Sequence, residues 1–310
     1  MNQFHNILFV SNGLGKDTQA LQEAISLALA NNARLNILIF CPSFPPSLEE
    51  HRNSYEAFLL EKMQQSIDSA KASLSLAKEN TSFNLEIEWG DTPDIRIIQR
   101  VLRESYDLVI KAVENKEEAK GFEALDMSLL RKCPCTLFLH RPFKATENPH
   151  IAVAIDPKDK DISGHDLALD LLRLSQTLSK HYQGHLSVIT CWSFIWEHYL
   201  RSSVFINASA TDVDEMAMRE SKKMYQTLLA LLQEANIQEP TIHYMRGTPS
   251  EIIPDMVSEK QIDVLIMGTV ARTGLAGFII GNTAENILQK INCSLWALKP
   301  PGFISPVKAY

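Results

Sequence analysis

Two passages of this chain carry the same succession of residues at a nearly fixed offset, and any fold must accommodate that first. Gly90 to Pro93 (GDTP) and Arg246 to Pro249 (RGTP) each lead into an apolar helix face and then a strand opened by aspartate. Thr92 and Thr248 are 156 positions apart, and so are Asp107 and Asp263. Further on, Lys132 to Pro142 (KCPCTLFLHRP) mirrors Lys290 to Pro300 (KINCSLWALKP) at an offset of 158, so the second copy's loop is two residues longer. The openings agree too. Asn6 to Asn12 and His150 to Asp156 are apolar runs that end on a polar residue and precede a helical pattern.

Each copy alternates strand and helix, beginning and ending on a strand. In Asp17 to Asn31, Ala20, Leu21, Ala24, Ile25, Leu27 and Ala28 recur at helical spacing, as Leu167, Leu171, Leu174 and Leu178 do within Gly164 to Tyr182. Strands are expected at Leu35 to Phe40 and Leu186 to Cys191, and long helices at Ser54 to Ala77 and Asp214 to Ala235. This alternation predicts an α/β fold, two tandem doubly wound open parallel-sheet domains with ligand crevices beyond the strands' carboxyl ends. The domains are placed at residues 1–143 and 149–302, joined by the short polar Phe143 to Pro149. So short a joint predicts that they pack together. The tail, Gly302 to Tyr310, is expected to carry little structure.

The second copy has a stretch the first lacks. From Leu265 to Pro300 the order is strand, loop, helix, strand, with Gly268, Gly274, Gly277 and Gly281 in the loop. Asn282 and Thr283 sit where the helix should begin, and Glu285 follows Asn282 at capping-box spacing. Bare amides at such a helix start form an anion site. The same glycines also serve simply to turn the chain. No GxxxxGK[ST] loop is present and the glycines are not spaced GxGxxG, which disfavours conventional NTPases and dinucleotide enzymes.

These residues resemble the universal stress proteins, whose ATP-binding members carry Gly-x-x-Gly, nine residues, then Gly-Ser/Thr. Gly268 and Gly281 match, with Arg272 to Ile280 as the nine between, while Ala271 and Asn282 replace the second glycine and the Ser/Thr. The GTVARTG and GNTAE wording is similar to the tandem E-type members. The resemblance implies ATP or a related adenine nucleotide, with or without Mg, held by Asp156, Cys191, Gly268, Ala271, Arg272, Gly281, Asn282 and Thr283. In it Asp156 contacts adenosine, the backbone of Cys191 meets adenine, and the ligand is held more weakly than in family members with both motif residues. From chemistry alone, Asp156 can accept ribose hydroxyls or can simply make a turn before Pro157. Lys158 and Arg272 are candidates for charge neutralisation, or solvated surface.

In the first copy Ala112 stands for Gly268. Glu114, Glu117, Glu118, Glu123 and Asp126 crowd the loop, where only Gly121 remains. Carboxylates there would repel phosphate, so the first copy is expected to act as a structural partner.

A net charge of −7 argues against a nucleic-acid partner. No apolar run reaches the ~20 residues of a membrane span, and no secretory signal is evident. Five cysteines without framework spacing suit a reducing cytoplasm. Cys133 and Cys135 flank Pro134 and read as buried strand-edge residues, since no second ligand pair accompanies them. Trp192 to Ala210 is rich in aromatics that would cover the sheet, line a pocket or meet a partner. No catalytic constellation stands out. His165 and His243 read as structural, and slow ATP hydrolysis would need a general base that the sequence does not identify. The alternative to nucleotide binding is a scaffold that offers an apolar surface to a protein or hydrophobic metabolite.

Overall fold

The computed structural model of the chain describes residues 3–75, 83–114, 120–142, 148–158, 162–202, 209–269 and 280–310. The first half runs β1 (Asn6–Ser11), α1 (Thr18–Asn31), β2 (Arg34–Cys41), α2 (Arg52–Ser73), β3 (Asn84–Trp89), α3 (Pro93–Glu104), β4 (Leu108–Ala112), α4 (Ala124–Lys132) and β5 (Thr136–His140). The second runs β6 (His150–Ala154), α5 (Ile162–Tyr182), β7 (His185–Trp192), α6 (Glu197–Ser202), α7 (Ala210–Glu234), β8 (Thr241–Arg246), α8 (Pro249–Glu259), β9 (Val264–Gly268), α9 (Asn282–Leu288) and β10 (Ser294–Leu298). The expected α/β alternation is present in both halves. The linker residues 143–147 lie outside the described residues.

All the strands join one sheet, ordered β3-β2-β1-β4-β5-β10-β9-β6-β7-β8. Within each half every pairing is parallel, and the crossovers place helices on both faces. The central strands are mostly apolar because both faces are covered. One apolar layer is built from α1, α2, α5 and α7, and the other from α3, α4, α8 and α9.

Asp107 and Asp263, the equivalent aspartates, explain why each Asp-led strand begins where it does. Asp107 accepts the amides of His5 (2.7 Å) and Asn6 (3.1 Å), fixing the start of β1 against β4. Asp263 does the same for β6, accepting the amide of His150 at 2.8 Å. In return, the backbone amides of the two aspartates bond to Asn6 and His150.

The halves pack together by a route that patterning did not anticipate. β5 and β10 pair antiparallel, with Leu295, Trp296 and Ala297 opposite Leu139, Phe138 and Leu137. Phe138 and Trp296 stack at 4.5 Å between ring centroids and are fully buried. Truncating either ring would cost about 3–5 kcal/mol. Around this seam Ser294 Oγ accepts the Arg141 amide at 2.9 Å and donates back to its carbonyl at 3.1 Å. Glu285 pairs with Arg131, and Tyr182 donates to Glu23 at 2.9 Å.

One expectation holds with an addition, and one needs correction. The tail has no regular element, yet it is docked: Ser305 Oγ donates to the Lys132 carbonyl at 2.7 Å and Val307 is buried. The described part of the Trp192 to Ala210 stretch is not a full core cover, because Ile195 and Trp196 are 78% and 63% exposed. Trp192, Phe194 and Leu200 are half-buried there, with Trp192 stacking on Tyr244. Residues 203–208 of that stretch lie outside the described residues.

Candidate functional site

In the second half the chain winds from β6 outward to β7 and β8, then crosses back to β9 on β6's other side. Such a switch point leaves a crevice between the diverging crossovers, at the strands' carboxyl ends. A cavity of about 420 Å³ lies there, within the roughly 300–1,000 Å³ usual for small-molecule sites. Its depth is apolar, with Ala154, Ile189, Ile253 and Met267, and Leu167 and Leu171 of α5 along one side. Its polar rim is Asp156, Asn282 and Thr283, all exposed at the mouth.

Six of the sequence-derived candidates therefore converge: Asp156, Cys191, Gly268, Gly281, Asn282 and Thr283 all border this one cavity. Ala271 and Arg272 lie outside the described residues. Asp156 ends β6 in a turn, its Oδ1 accepting the Lys158 amide at 2.9 Å. Asn12 does the same for the Leu14 amide at 3.0 Å after β1. The turn reading of Asp156 is thus correct, and its carboxylate still reaches the rim. Lys158 is exposed and reaches only the Ser193 carbonyl, at 3.5 Å. The Cys191 thiol is pushed up to about 11 by burial and by the Asp156 charge, so it stays neutral.

The helix start differs from its expected form. Gly281, not Asn282, is the N-cap of α9, and no side chain among the described residues caps it. Glu285 is drawn away from the capping role by Arg131 of the other half. The Gly281 amide is used, donating to the Thr269 carbonyl at 3.2 Å. First-turn amides of α9 beyond it, at residues 282–284, follow at the rim. The glycine at 268 has a reason unrelated to phosphate, because a Cβ there would stand 2.9 Å from Leu167 Cδ2. Removing that Cβ lets α5 close over the cavity.

The equivalent crevice of the first half is larger, about 750 Å³, but lined differently. Lys111, at the position of Met267, sends Nζ to Asp126 Oδ1 and to Glu114 Oε1, each at 3.0 Å. Asp126 is fully buried in the first turn of α4, where α9 has Ala284. Burial raises its pKa against the pull of Lys111. Glu123 occupies the N-cap position that Gly281 holds in α9. His140, at the place of Leu298, is buried and its pKa is held down to about 4. Asp17 is buried as well, with desolvation raising its pKa. The sequence had marked the acidic crowding, but not the Lys111–Asp126 pair that carries it inward. Glu117 and Glu118 lie outside the described residues.

Among the described residues no cluster of His, Cys, Asp or Glu could hold a metal ion, and no helix is long and apolar enough to cross a membrane. His165 pairs with Glu234 at 3.1 Å between α5 and α7, a structural contact.

Residues 147–299 match the sequence profile of the universal stress protein family. The second half of the chain thus belongs to that family. Over its full length it is similar to universal stress protein E of Photorhabdus laumondii subsp. laumondii, 25% identical over 319 residues and covering 100% of this chain and 99% of the relative. The corresponding protein of Escherichia coli K12 is 27% identical over 231 residues, covering 72% of this chain and 70% of the relative. Among solved structures, a functionally unknown Pseudomonas aeruginosa PAO1 protein superposes with a TM-score of 0.73 at 21% identity, covering 96% of this chain and 94% of that one. A universal stress protein of Archaeoglobus fulgidus gives 0.61 at 16%, covering 96% and 99%. At those identities the likeness speaks for the fold.

Proposed function

We propose that the second half binds ATP or a related adenine nucleotide in the β6/β9 crevice, and that the first half serves as its fixed structural partner. The observation that carries this reading is the meeting of six motif positions, far apart in sequence, around one cavity. An apolar depth suits a purine ring, and the Asp156 carboxylate suits ribose hydroxyls. The first-turn amides of α9, the Asn282 NH2 and the Thr283 hydroxyl suit phosphate oxygens. No cationic side chain borders the cavity among the described residues. The phosphates would then be held by neutral donors, which fits modest affinity. Magnesium would have Asp156 as its one carboxylate there, with the phosphates supplying the rest.

Isothermal calorimetry of the purified chain with ATP, with and without Mg, tests this. Binding near one nucleotide per chain is expected. No heat under either condition sinks the reading.

A second reading, a partner-binding scaffold, is favoured by Ile195, Trp196 and Tyr199, which are exposed together just after β7. Mass spectrometry of gently purified protein separates the two. Nucleotide carried through purification supports the crevice, and a peptide or hydrophobic metabolite supports the scaffold.

A further inference from the structure

The mirrored segments Lys132–Pro142 and Lys290–Pro300 differ in a way that nucleotide binding does not use. Where the second half has Ile291 and Cys293, the first has Cys133 and Cys135. Their sulfurs lie 3.5 Å apart across Pro134. A disulfide needs about 2.05 Å, so a shift of about 1.5 Å closes the gap. Cys133 is buried at the end of α4, and Cys135 is half-buried on the way into β5. The pair sits in the turn between α4 and β5, with Cys135 the less buried residue of the two.

The surroundings favour a thiolate at this place. Lys299 lies close by, its Nζ donating to the Leu130 carbonyl at the end of α4 and to Thr269 Oγ1 at 2.8 Å. The Cys133 thiol is held below the usual range by a hydrogen bond from Cys135 and by the Lys299 charge. The other four cysteines go the other way. The hydrogen bond it gives to Cys133 raises Cys135 well above the usual range, and burial pushes Cys41 and Cys191 up to about 11 and Cys293 up to about 12.

We propose that Cys133 and Cys135 form a redox site, a dithiol that hydrogen peroxide converts to an intramolecular disulfide. Cys133 Sγ, the thiolate of the pair, attacks a peroxide oxygen and the O–O bond breaks, leaving a sulfenic acid and one water. Cys135 Sγ then attacks the Cys133 sulfur. The S–S bond forms and the S–O bond breaks, with its oxygen leaving as a second water. Both sulfurs are oxidised, both peroxide oxygens are reduced, and the two thiol protons end in the waters. A small dithiol such as dithiothreitol reverses the change.

The test exposes the native full-length chain to hydrogen peroxide, alkylates remaining thiols in denaturant, and reads intact and peptide masses. Expected are the loss of two of the five thiols, a fall of about 2 Da before alkylation, and a link between Cys133 and Cys135 that dithiothreitol removes. Cys293→Ser should close equally well, whereas Cys135→Ser should accumulate oxygen on Cys133 instead. The proposal is overturned if all five thiols survive a peroxide dose that oxidises free glutathione. It is equally overturned if wild-type Cys133 gains oxygen without closing, or if the link forms elsewhere. The wild-type masses decide the matter even if the serine variants fail to fold.

Discussion

The two crevices occupy equivalent places in one sheet and have been filled in opposite ways. The second is apolar in depth, with Met267 and Ala284 in its wall and Leu298 buried at the end of β10, and ends at a helix start without side-chain caps. The first puts Lys111, Asp126 and His140 at the same positions, with Glu123 at its helix start. A helix N-terminus attracts anions only while no carboxylate already sits there. In the first half Asp126 takes that place and Lys111 neutralises it, so the charge is satisfied internally. Equivalent backbones therefore present one helix start that no described side chain caps and one occupied by the chain's own charged side chains.

The largest expected effect comes from breaking that internal closure. Lys111→Met leaves Asp126 buried and unpaired by lysine, and should cost about 3–5 kcal/mol of stability in denaturant unfolding. The double variant Lys111→Met, Asp126→Ala copies Met267 and Ala284 and should recover most of the loss. A double variant as unstable as the single one would show that the pair is not the reason.

Next is the pH response of His140. Its pKa in the folded chain is about 4, against 6.5 when free. The unfolded chain therefore binds the proton first, and the contribution present above about pH 6.5 is lost as pH falls toward 4. That loss amounts to about 3 kcal/mol. Raised carboxyl pKa values at Asp17 and Asp126 act in the opposite sense. The informative quantity is thus the difference between wild type and His140→Leu, which copies Leu298. If thermal stability follows one pH profile in both proteins, the imidazole is not the cause.

Smaller again, Gly281→Asp gives the second crevice a carboxylate at its helix start and should weaken ATP about 10-fold or more in calorimetry. Unchanged affinity would remove phosphate from that helix start. Smallest is the converse. Glu123→Gly alone should add no ATP binding to that left in a chain already carrying Gly281→Asp, because Lys111 and Asp126 remain. A second equivalent of bound ATP in that variant would mean that Glu123 by itself kept the first crevice shut.

Much of the architecture is legible in the sequence because each element declares itself locally. Apolar strand runs, helical spacing and the paired aspartates at 107 and 263 need no knowledge of distant contacts. The antiparallel seam is different. Periodicity tells which faces of β5 and β10 are covered, and both are, but it does not say which strand lies alongside. The Lys111–Asp126 pair was hidden for a related reason, since a buried lysine among many acidic residues reads as solvated loop. Asn282 looked like a cap because its side chain is the better capper. Gly281 takes the position because the chain there is extended, at φ −62° and ψ 138°. Trp196 looked like core, and its exposure could not be foreseen from its chemistry.

Joining β5 to β10 also consumes two strand margins that separate sheets would present to solvent, leaving β3 and β8 as the only terminal strands of the described sheet. β3 carries Glu86 and Glu88, held by Arg100 and Arg96. β8 finishes at Arg246, paired with Glu197 at 2.6 Å. Charge at both outer borders discourages an eleventh strand. The chain is thus guarded against growing into a ribbon with its neighbours, even where it is crowded.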